Sequence, residues 1–442
     1  MVLSCHSARL AAPLEHGRWA LSRATVLFLS GLLFPALAIA QGARPHVGAG
    51  SDHMLALRDD GAVFAWGGNF FGQLGVADNN DRDVATMVPM LGPGSGVIQV
   101  VAGPFFSLAL KRNGEVLSWG ASNDGRLGFP GASSRNQPGP VLGLAAGSGV
   151  IAIAAGGLGS AFALKSDGSV WAWGDNSNFQ LGDNTQTDRN APQQVLGGLP
   201  AVRALGAGDA HTLAVLTTGA VWGWGFQSGG QLCNKTGAVA DPPTPAFVQL
   251  PAPVSGVGGT PAGVREASAS QGRSMFLLDS GVVQVCGGSA VQARCEVTSL
   301  GGGLTYIGLS NVPNLPPVRT LAVGSDANYF VTLAGATLAC GANDFGQLGS
   351  GTATPLPGIL TPTAIAGLPA MAQAAIGSQR SQGGGVANDG RVYTWGSGQR
   401  VPMLGTGPSP TLPAPARQVL LQGGGTLSLG AGDRLFQDGF ES

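Results

Sequence analysis

Apolar residues alternate with small or polar ones in short runs, and each pair of runs is interrupted by a charged or polar turn. The stretch Met54–Gly67 reads MLALRDDGAVFAWG, and the layout returns as SLALKRNGEVLSWG, FALKSDGSVWAWG and TLAVLTTGAVWGWG. A period of two predicts strands. Asp-Gly or Asn-Gly between two such runs predicts a tight hairpin with a type I′ turn, in which both central residues take positive φ. In the second strand, Val or Thr sits two residues after the turn glycine, with a small residue (Ala65, Ser118, Ala172, Gly223, Ala339, Thr394) two further on. The positions between hold large groups, such as Phe64 and Trp66 or Trp171 and Trp173. One face is bulky, the other nearly flat, and neither is wet. Such sheets must stack face to face on one another.

The pattern is a repeat. A Trp-Gly or Cys-Gly pair recurs at Trp66-Gly67, Trp119-Gly120, Trp173-Gly174, Trp224-Gly225, Cys286-Gly287, Cys340-Gly341 and Trp395-Gly396. Successive pairs are 53, 54, 51, 62, 54 and 55 residues apart. A turn glycine stands six residues before the second member of each pair: Gly61, Gly114, Gly168, Gly219, Gly281, Gly335 and Gly390. Seven copies of a roughly 50-residue unit predict an all-β, seven-bladed β-propeller with about four short antiparallel strands per blade. Ring closure is expected where Pro415–Leu421 would pair with the N-terminal strand around Val47–Leu57.

A second motif follows each pair: GGNFFGQLG (Gly67–Gly75), GASNDGRLG, GDNSNFQLG and GANDFGQLG. The fourth copy ends with Cys233 in place of the last glycine, and Cys295 holds that offset in the fifth. With hairpin glycine, Trp-Gly and Gln-Leu-Gly together, AGSDHMLALRDDGAVFAWGGNFFGQLG (Ala49–Gly75) resembles one full repeat of the regulator of chromosome condensation family. The resemblance runs over about residues 45–422, is weakest in the fifth copy, and implies a seven-bladed propeller. The family's nucleotide exchange on a nuclear GTPase and its chromatin binding are not carried over: the N-terminus reads as an export signal, the mature charge is slightly acidic with no basic tail to hold DNA, and no GTPase-facing residues are assigned.

Composition sharpens this picture. The chain has 442 residues with 74 Gly and 29 Pro, yet 44% are apolar and only 11% charged, so a large core joined by many turns is expected rather than disorder. Arg9, Arg18 and Arg23 precede the apolar run Val26–Ile39, and Ala38-Ile39-Ala40 has the small-x-small form of a signal-peptidase site. Residues 1–40 are read as a signal peptide, since the run of 14 is short for a span of ~20 residues. The propeller is placed at 41–424 and a tail at 425–442, whose Asp-Gly-Phe-Glu ending is similar to endings on exported bacterial proteins. The mature chain would be secreted, periplasmic or at the cell surface, and monomeric. It carries 20 basic and 23 acidic residues, a net of −3, with no basic stripe for nucleic acid and no further membrane span.

Four cysteines outlast the signal: Cys233, Cys286, Cys295 and Cys340. Two disulfides in any of three connectivities, or buried free thiols, are both compatible with their spacing. Chemistry is sparse. No nucleophile elbow or zinc motif occurs, and no catalytic, metal or cofactor residues are assigned. His53 and His211 share one repeat position and are read as scaffold hydrogen bonders. Asp78–Asp83 lacks the glycine and spacing of a calcium loop and is read as a solvated turn.

The leading functional expectation is an exported protein–protein interaction scaffold with an unknown partner, with a secreted inhibitor as a sub-case. Its contacts would come from the connections Val76–Val97, Phe129–Val150, Asp183–Val202, Asn234–Val264 and Val297–Val318. A propeller-based extracytoplasmic lyase or hydrolase and a structural surface component are the alternatives.

Overall fold

The computed structural model describes residues 43–131, 134–233, 247–254, 261–288, 295, 307–377, 382–396, 404–407 and 414–430. The signal peptide read at 1–40, the tail from 431 onward and much of Asn234–Val264 lie outside them. Among the described residues, 28 strands form seven four-stranded antiparallel sheets. Strand order equals chain order in every sheet, so each blade is a meander cut from one continuous stretch. Blade 1 comprises β1 (His46–Ala49), β2 (His53–Leu57), β3 (Val63–Gly67) and β4 (Arg82–Met87). Blades 2 to 7 follow at Val97–Pro140, Val150–Gln194, Val202–Pro253, Val264–Asn311, Val318–Ala364 and Met371–Gln418. First strands of neighbouring blades lie against one another, which makes them the inner strands.

The hairpins differ from the turn the sequence suggests. All seven turn glycines have φ between 80° and 87°, but none of the residues before them has positive φ. In blade 1 the amide of Gly61 bonds Arg58 O and that of Arg58 bonds Ala62 O. This is a turn followed by a glycine bulge, not type I′. Only the glycine must be left-handed, which is why Thr218, Ser280 and Ala334 are accepted before it. Asp and Asn are common there for another reason: Asp60, Asn113, Asp167 and Asp389 each accept a hydrogen bond from the amide two residues on.

Packing between blades follows one rule. The bulky face of β3, with Phe64 and Trp66, clusters with blade 7, while its flat face, Val63 and Ala65, receives Trp119 of blade 2. Trp66, Trp119, Trp173, Trp224 and Trp395 are all fully buried. Each indole rests on the closing glycine of the preceding blade's Gln-Leu-Gly motif. A Cβ at Gly75 would lie 2.8 Å from the Trp119 indole nitrogen, and one at Gly128, Gly182, Gly405 or Gly349 would come within 2.8 to 3.2 Å of the ring of Trp173, Trp224, Trp66 or Trp395. These glycines also have φ of 65–72°. The indole N–H of Trp119, Trp173 and Trp224 donates to the backbone carbonyl two residues before that glycine.

At the two remaining junctions both members of the pair change together. Cys233 stands for the glycine and Cys286 for the tryptophan between blades 4 and 5; Cys295 and Cys340 do the same between blades 5 and 6. The structure joins Cys233 to Cys286 and Cys295 to Cys340 as disulfides. Cys233 (φ 61°) and Cys295 (φ 56°) keep the left-handed backbone of the glycines they replace, a conformation that costs a side-chain-bearing residue about 1–2 kcal/mol.

Closure uses this rule rather than a shared strand. Contrary to expectation, β1 pairs within blade 1 and Ala414–Gln418 pairs with Val392–Gly396 inside blade 7. Gly405 of blade 7 meets Trp66 of blade 1 as at any other seam. A strap completes the joint. Ala85 on β4 bonds Leu420 and Gln422, and Leu429 takes an amide from Asp59 while donating to Gly390. Leu427 and Leu429, at the start of the segment assigned as a tail, are fully buried in this joint.

Candidate functional site

The tryptophans, pair glycines, turn glycines and cysteines that define the repeat lie in blade hairpins and seams, where they hold the ring and present nothing to a ligand. His53 and His211 behave as scaffold. Their Nε2 atoms lie 2.9 Å from Ser107 and Ser274 of the next blade, and those serines donate back to Gln73 O and Gln231 O. Burial drives the His211 imidazole down to about 3, so it stays neutral. At the same register position in blade 5, the fully buried Arg273 bonds Asn328 Oδ1 and the carbonyls of Gly324 and Ser325. Inner strands are tied in a similar way. Gln99 bonds both the amide and the carbonyl of Ile153, and Gln373 bonds both those of Val47. Glu266 holds the corresponding place between blades 5 and 6, where burial raises its carboxyl to about 7 and Thr320 donates to it.

Among the described residues, surface chemistry concentrates on the rim formed by the loops that follow the Trp-Gly pairs of blades 1 to 3. The loops of blades 1 and 3 are organised by a motif asparagine, whose place Ser122 takes in blade 2. Asn69 Oδ1 takes the Leu74 amide and its own amide donates to Asp81, and Asn176 repeats both bonds with Leu181 and Asp188. Held this way, the first loop projects Phe70, which is 77% exposed. Phe70 and Phe71 meet edge to face at 4.9 Å, and Phe71 leans on Phe105 of blade 2 at 5.5 Å. Beside this ridge lies an open cleft of about 480 Å³ between blades 1 and 2, lined by Phe71, Asn79, Arg135, Asn136, Gln137 and Gly139 among others. Asn136 donates to Asn79 across the seam at 3.2 Å and its carbonyl accepts from Ala77.

An arginine opens the fourth strand of each of these blades and pairs with the glycine of the Trp-Gly pair: Arg82 with Gly67, Arg135 with Gly120, Arg189 with Gly174. In blades 1 and 3 a loop aspartate neutralises it. Arg82 meets Asp78 at 2.6 Å and Arg189 meets Asp183 at 2.6 Å. The bond from Arg82 holds the Asp78 carboxyl below its ordinary range. Burial opposes the charge on Asp183, but bonds from Thr185, Arg189 and Asn176 outweigh it and leave its carboxyl low as well. The carboxylates of Asp78 and Asp81 are thus spent on the loop itself. In blade 2 the loop reads Phe129-Pro130-Gly131, and among the described residues no carboxylate comes within ion-pair distance of Arg135. Its guanidinium stacks over Phe129 at 3.3 Å and donates to Pro140 O.

The cleft was not visible in the sequence as a site. Its walls come from two variable connections of different blades, and only the register of the repeat aligns Arg82, Arg135 and Arg189.

Comparison with known proteins agrees with the fold. Models of the regulator of chromosome condensation (RCC1) repeat match residues 60–110, 113–163 and 167–215, and a second form matches 46–73, 97–126, 150–180 and 202–231. Human E3 ubiquitin-protein ligase HERC2 is 37% identical over 202 residues, covering 45% of this chain and 4% of its own length. The Arabidopsis thaliana ultraviolet-B receptor UVR8 is 32% identical over 187 residues, covering 42% of each chain. This chain therefore spans less than half of these relatives. Among solved structures, Prp20p of Saccharomyces cerevisiae superposes with a TM-score of 0.63 at 22% identity, over 75% of this chain and 80% of that one. Human WBSCR16 gives 0.61 at 21% identity, over 75% and 84%. The matched stretch stops two residues short of Cys233, where the seams change chemistry. Residues 46–231, the first three blades and the greater part of the fourth, match models of the regulator of chromosome condensation repeat.

Proposed function

We propose that this chain is an exported, monomeric protein-interaction scaffold that engages a protein partner through the loop rim of blades 1 to 3. The observation that carries the reading is the aromatic ridge of Phe70, Phe71 and Phe105 beside an open, amide-lined cleft. An aromatic ridge crowned by the exposed Phe70, with Phe71 and Phe105 half-buried beneath it and polar groups around it, suits protein contact, and aromatics with arginine dominate binding energy at interfaces. The relatives are in keeping with this. Prp20p binds Gsp1p and histones and is found in complex with Kap60. Export draws on the N-terminal pattern ending Ala38-Ile39-Ala40 and on two disulfides that suit an oxidising compartment.

Two measurements test it. The N-terminus of the protein recovered outside the cytoplasm should be Gln41; a chain retaining residues 1–40 would overturn export. The purified chain should capture one protein in stoichiometric amount from the exported fraction, and Phe70→Ser should lose it. Equal capture by the variant would remove the ridge from the contact.

A further inference from the structure

The three equivalent arginines form an internal comparison. Two of them, Arg82 and Arg189, are each met by an aspartate of their own loop at 2.6 Å. The third, Arg135, faces the cleft instead. Partial burial works against its charge as well, and a partly desolvated guanidinium gains most from a planar, bidentate carboxylate. Phe129 holds the guanidinium plane from one side, at 3.3 Å. Asn79, Asn136 and Gln137 add amide groups to the cleft, and Phe71 supplies an apolar wall.

We propose that the cleft between blades 1 and 2 takes an aspartate or glutamate side chain from a loop of the protein partner, with Arg135 as its counter-charge. The partner's carboxylate does for Arg135 what Asp78 does for Arg82 and Asp183 for Arg189. Of these three places, the chain omits that carboxylate where the guanidinium opens on a cleft beside the Phe70–Phe71 ridge. This inference rests on the protein-binding reading above and supplies the chemistry of what is bound.

The test uses the full chain and two fluorescein-labelled decapeptides, one with Glu at alternate positions between leucines and one with Gln in place of each Glu. Fluorescence anisotropy should show the acidic peptide binding roughly 10- to 100-fold tighter, as a charge-assisted pair warrants. Arg135→Gln should bring it down to the level of the amide peptide while melting like the parent protein. Phe129→Asp copies the aspartate of blade 3 and should have the same effect with the guanidinium still present. Arg189→Gln, whose partner is already built in, should leave affinity unchanged. Equal binding of the two peptides would overturn the proposal, as would an Arg135→Gln variant that binds like the parent. So would an equal loss in Arg189→Gln, which would reduce the effect to general charge attraction. The captured partner separates this idea from the scaffold reading. A partner held equally by Arg135→Gln and by the parent sinks the site and leaves the scaffold standing. Arg135-dependent peptide binding with no captured partner does the reverse.

Discussion

Blades 1 to 3 and blade 5 solve one packing problem with different chemistry. In the first group, a buried indole of one blade lies on a glycine of the blade before it, as Trp119 does on Gly75. Blade 5 joins both of its neighbours through cysteine pairs, Cys233–Cys286 on one side and Cys295–Cys340 on the other. The glycine and tryptophan are complementary, because the glycine makes room for the ring. Neither is tolerated alone: a cysteine at the glycine position would strike an indole, and a cysteine at the tryptophan position would leave a hole. Simultaneous replacement avoids both, and the covalent bond offsets the apolar area that the indole would have buried.

Breaking a Gly–Trp seam should have the largest effect. Trp119→Ala removes a fully buried ring and its bond to Gln73 O, and should cost about 3–5 kcal/mol in urea unfolding. The double change Cys233→Ala with Cys286→Ala should cost about 2–4 kcal/mol, and added reductant, which also opens Cys295–Cys340, should cost the parent protein at least as much and lower Trp119→Ala by the same further amount. If reductant has no effect on the parent, the disulfides do not hold these seams. The comparison sharpens further by restoring the ordinary pair. Cys233→Gly with Cys286→Trp should be more stable than Cys286→Trp alone, because Cys233 Cβ occupies the space an indole needs. Equal melting temperatures for the two variants would show that the two positions do not act as a pair.

The smallest expected effect concerns the inner strands at the same blade. Gln99 and Gln373 join neighbours through a neutral amide, whereas Glu266 does so with a carboxyl that burial raises from 4.5 to about 7. A raised carboxyl binds its proton more tightly when folded, so its contribution is full below about pH 4.5 and is lost as pH climbs to about 7. Asp209, raised by burial to about 6, acts in the same direction from 3.8 upward. His211, lowered to about 3, acts oppositely, losing stability as pH falls from 6.5. Between pH 6.5 and 7 Asp209 is nearly spent, and of these three Glu266 carries most of the downward pull on stability. Glu266→Gln should therefore flatten the decline in melting temperature across pH 6 to 7, and an unchanged profile would assign that decline to other groups.

The blade was readable in the sequence, and the seam was not. Strand alternation, the glycine at each turn and the count of seven are local, written within about fifteen residues. The turn type was misjudged because an Asp-Gly pair suits both type I′ and the glycine bulge; Thr218 and Ala334 before the glycine were the signal against type I′. Cys233 and Cys286 each stood out as a substitution in its own motif. Their partnership requires knowing that the end of one blade's loop touches the next blade's third strand, 53 residues away. The cleft has the same origin. Phe71 and Arg135 belong to different blades, and only stacking brings them to one opening.

The closing strap has a consequence for how the ring is built. Since every blade is one uninterrupted stretch and the seam between blades 7 and 1 obeys the rule of the others, the order in which the chain visits the blades is not what defines the ring. A circularly permuted chain, cut in the connection between blades 3 and 4 and joined through the old ends, keeps all seven seams. In the parent chain only the strap of Leu427 and Leu429 stands in for the covalent link that every other seam possesses. Forced from its ends, the ring should part there first.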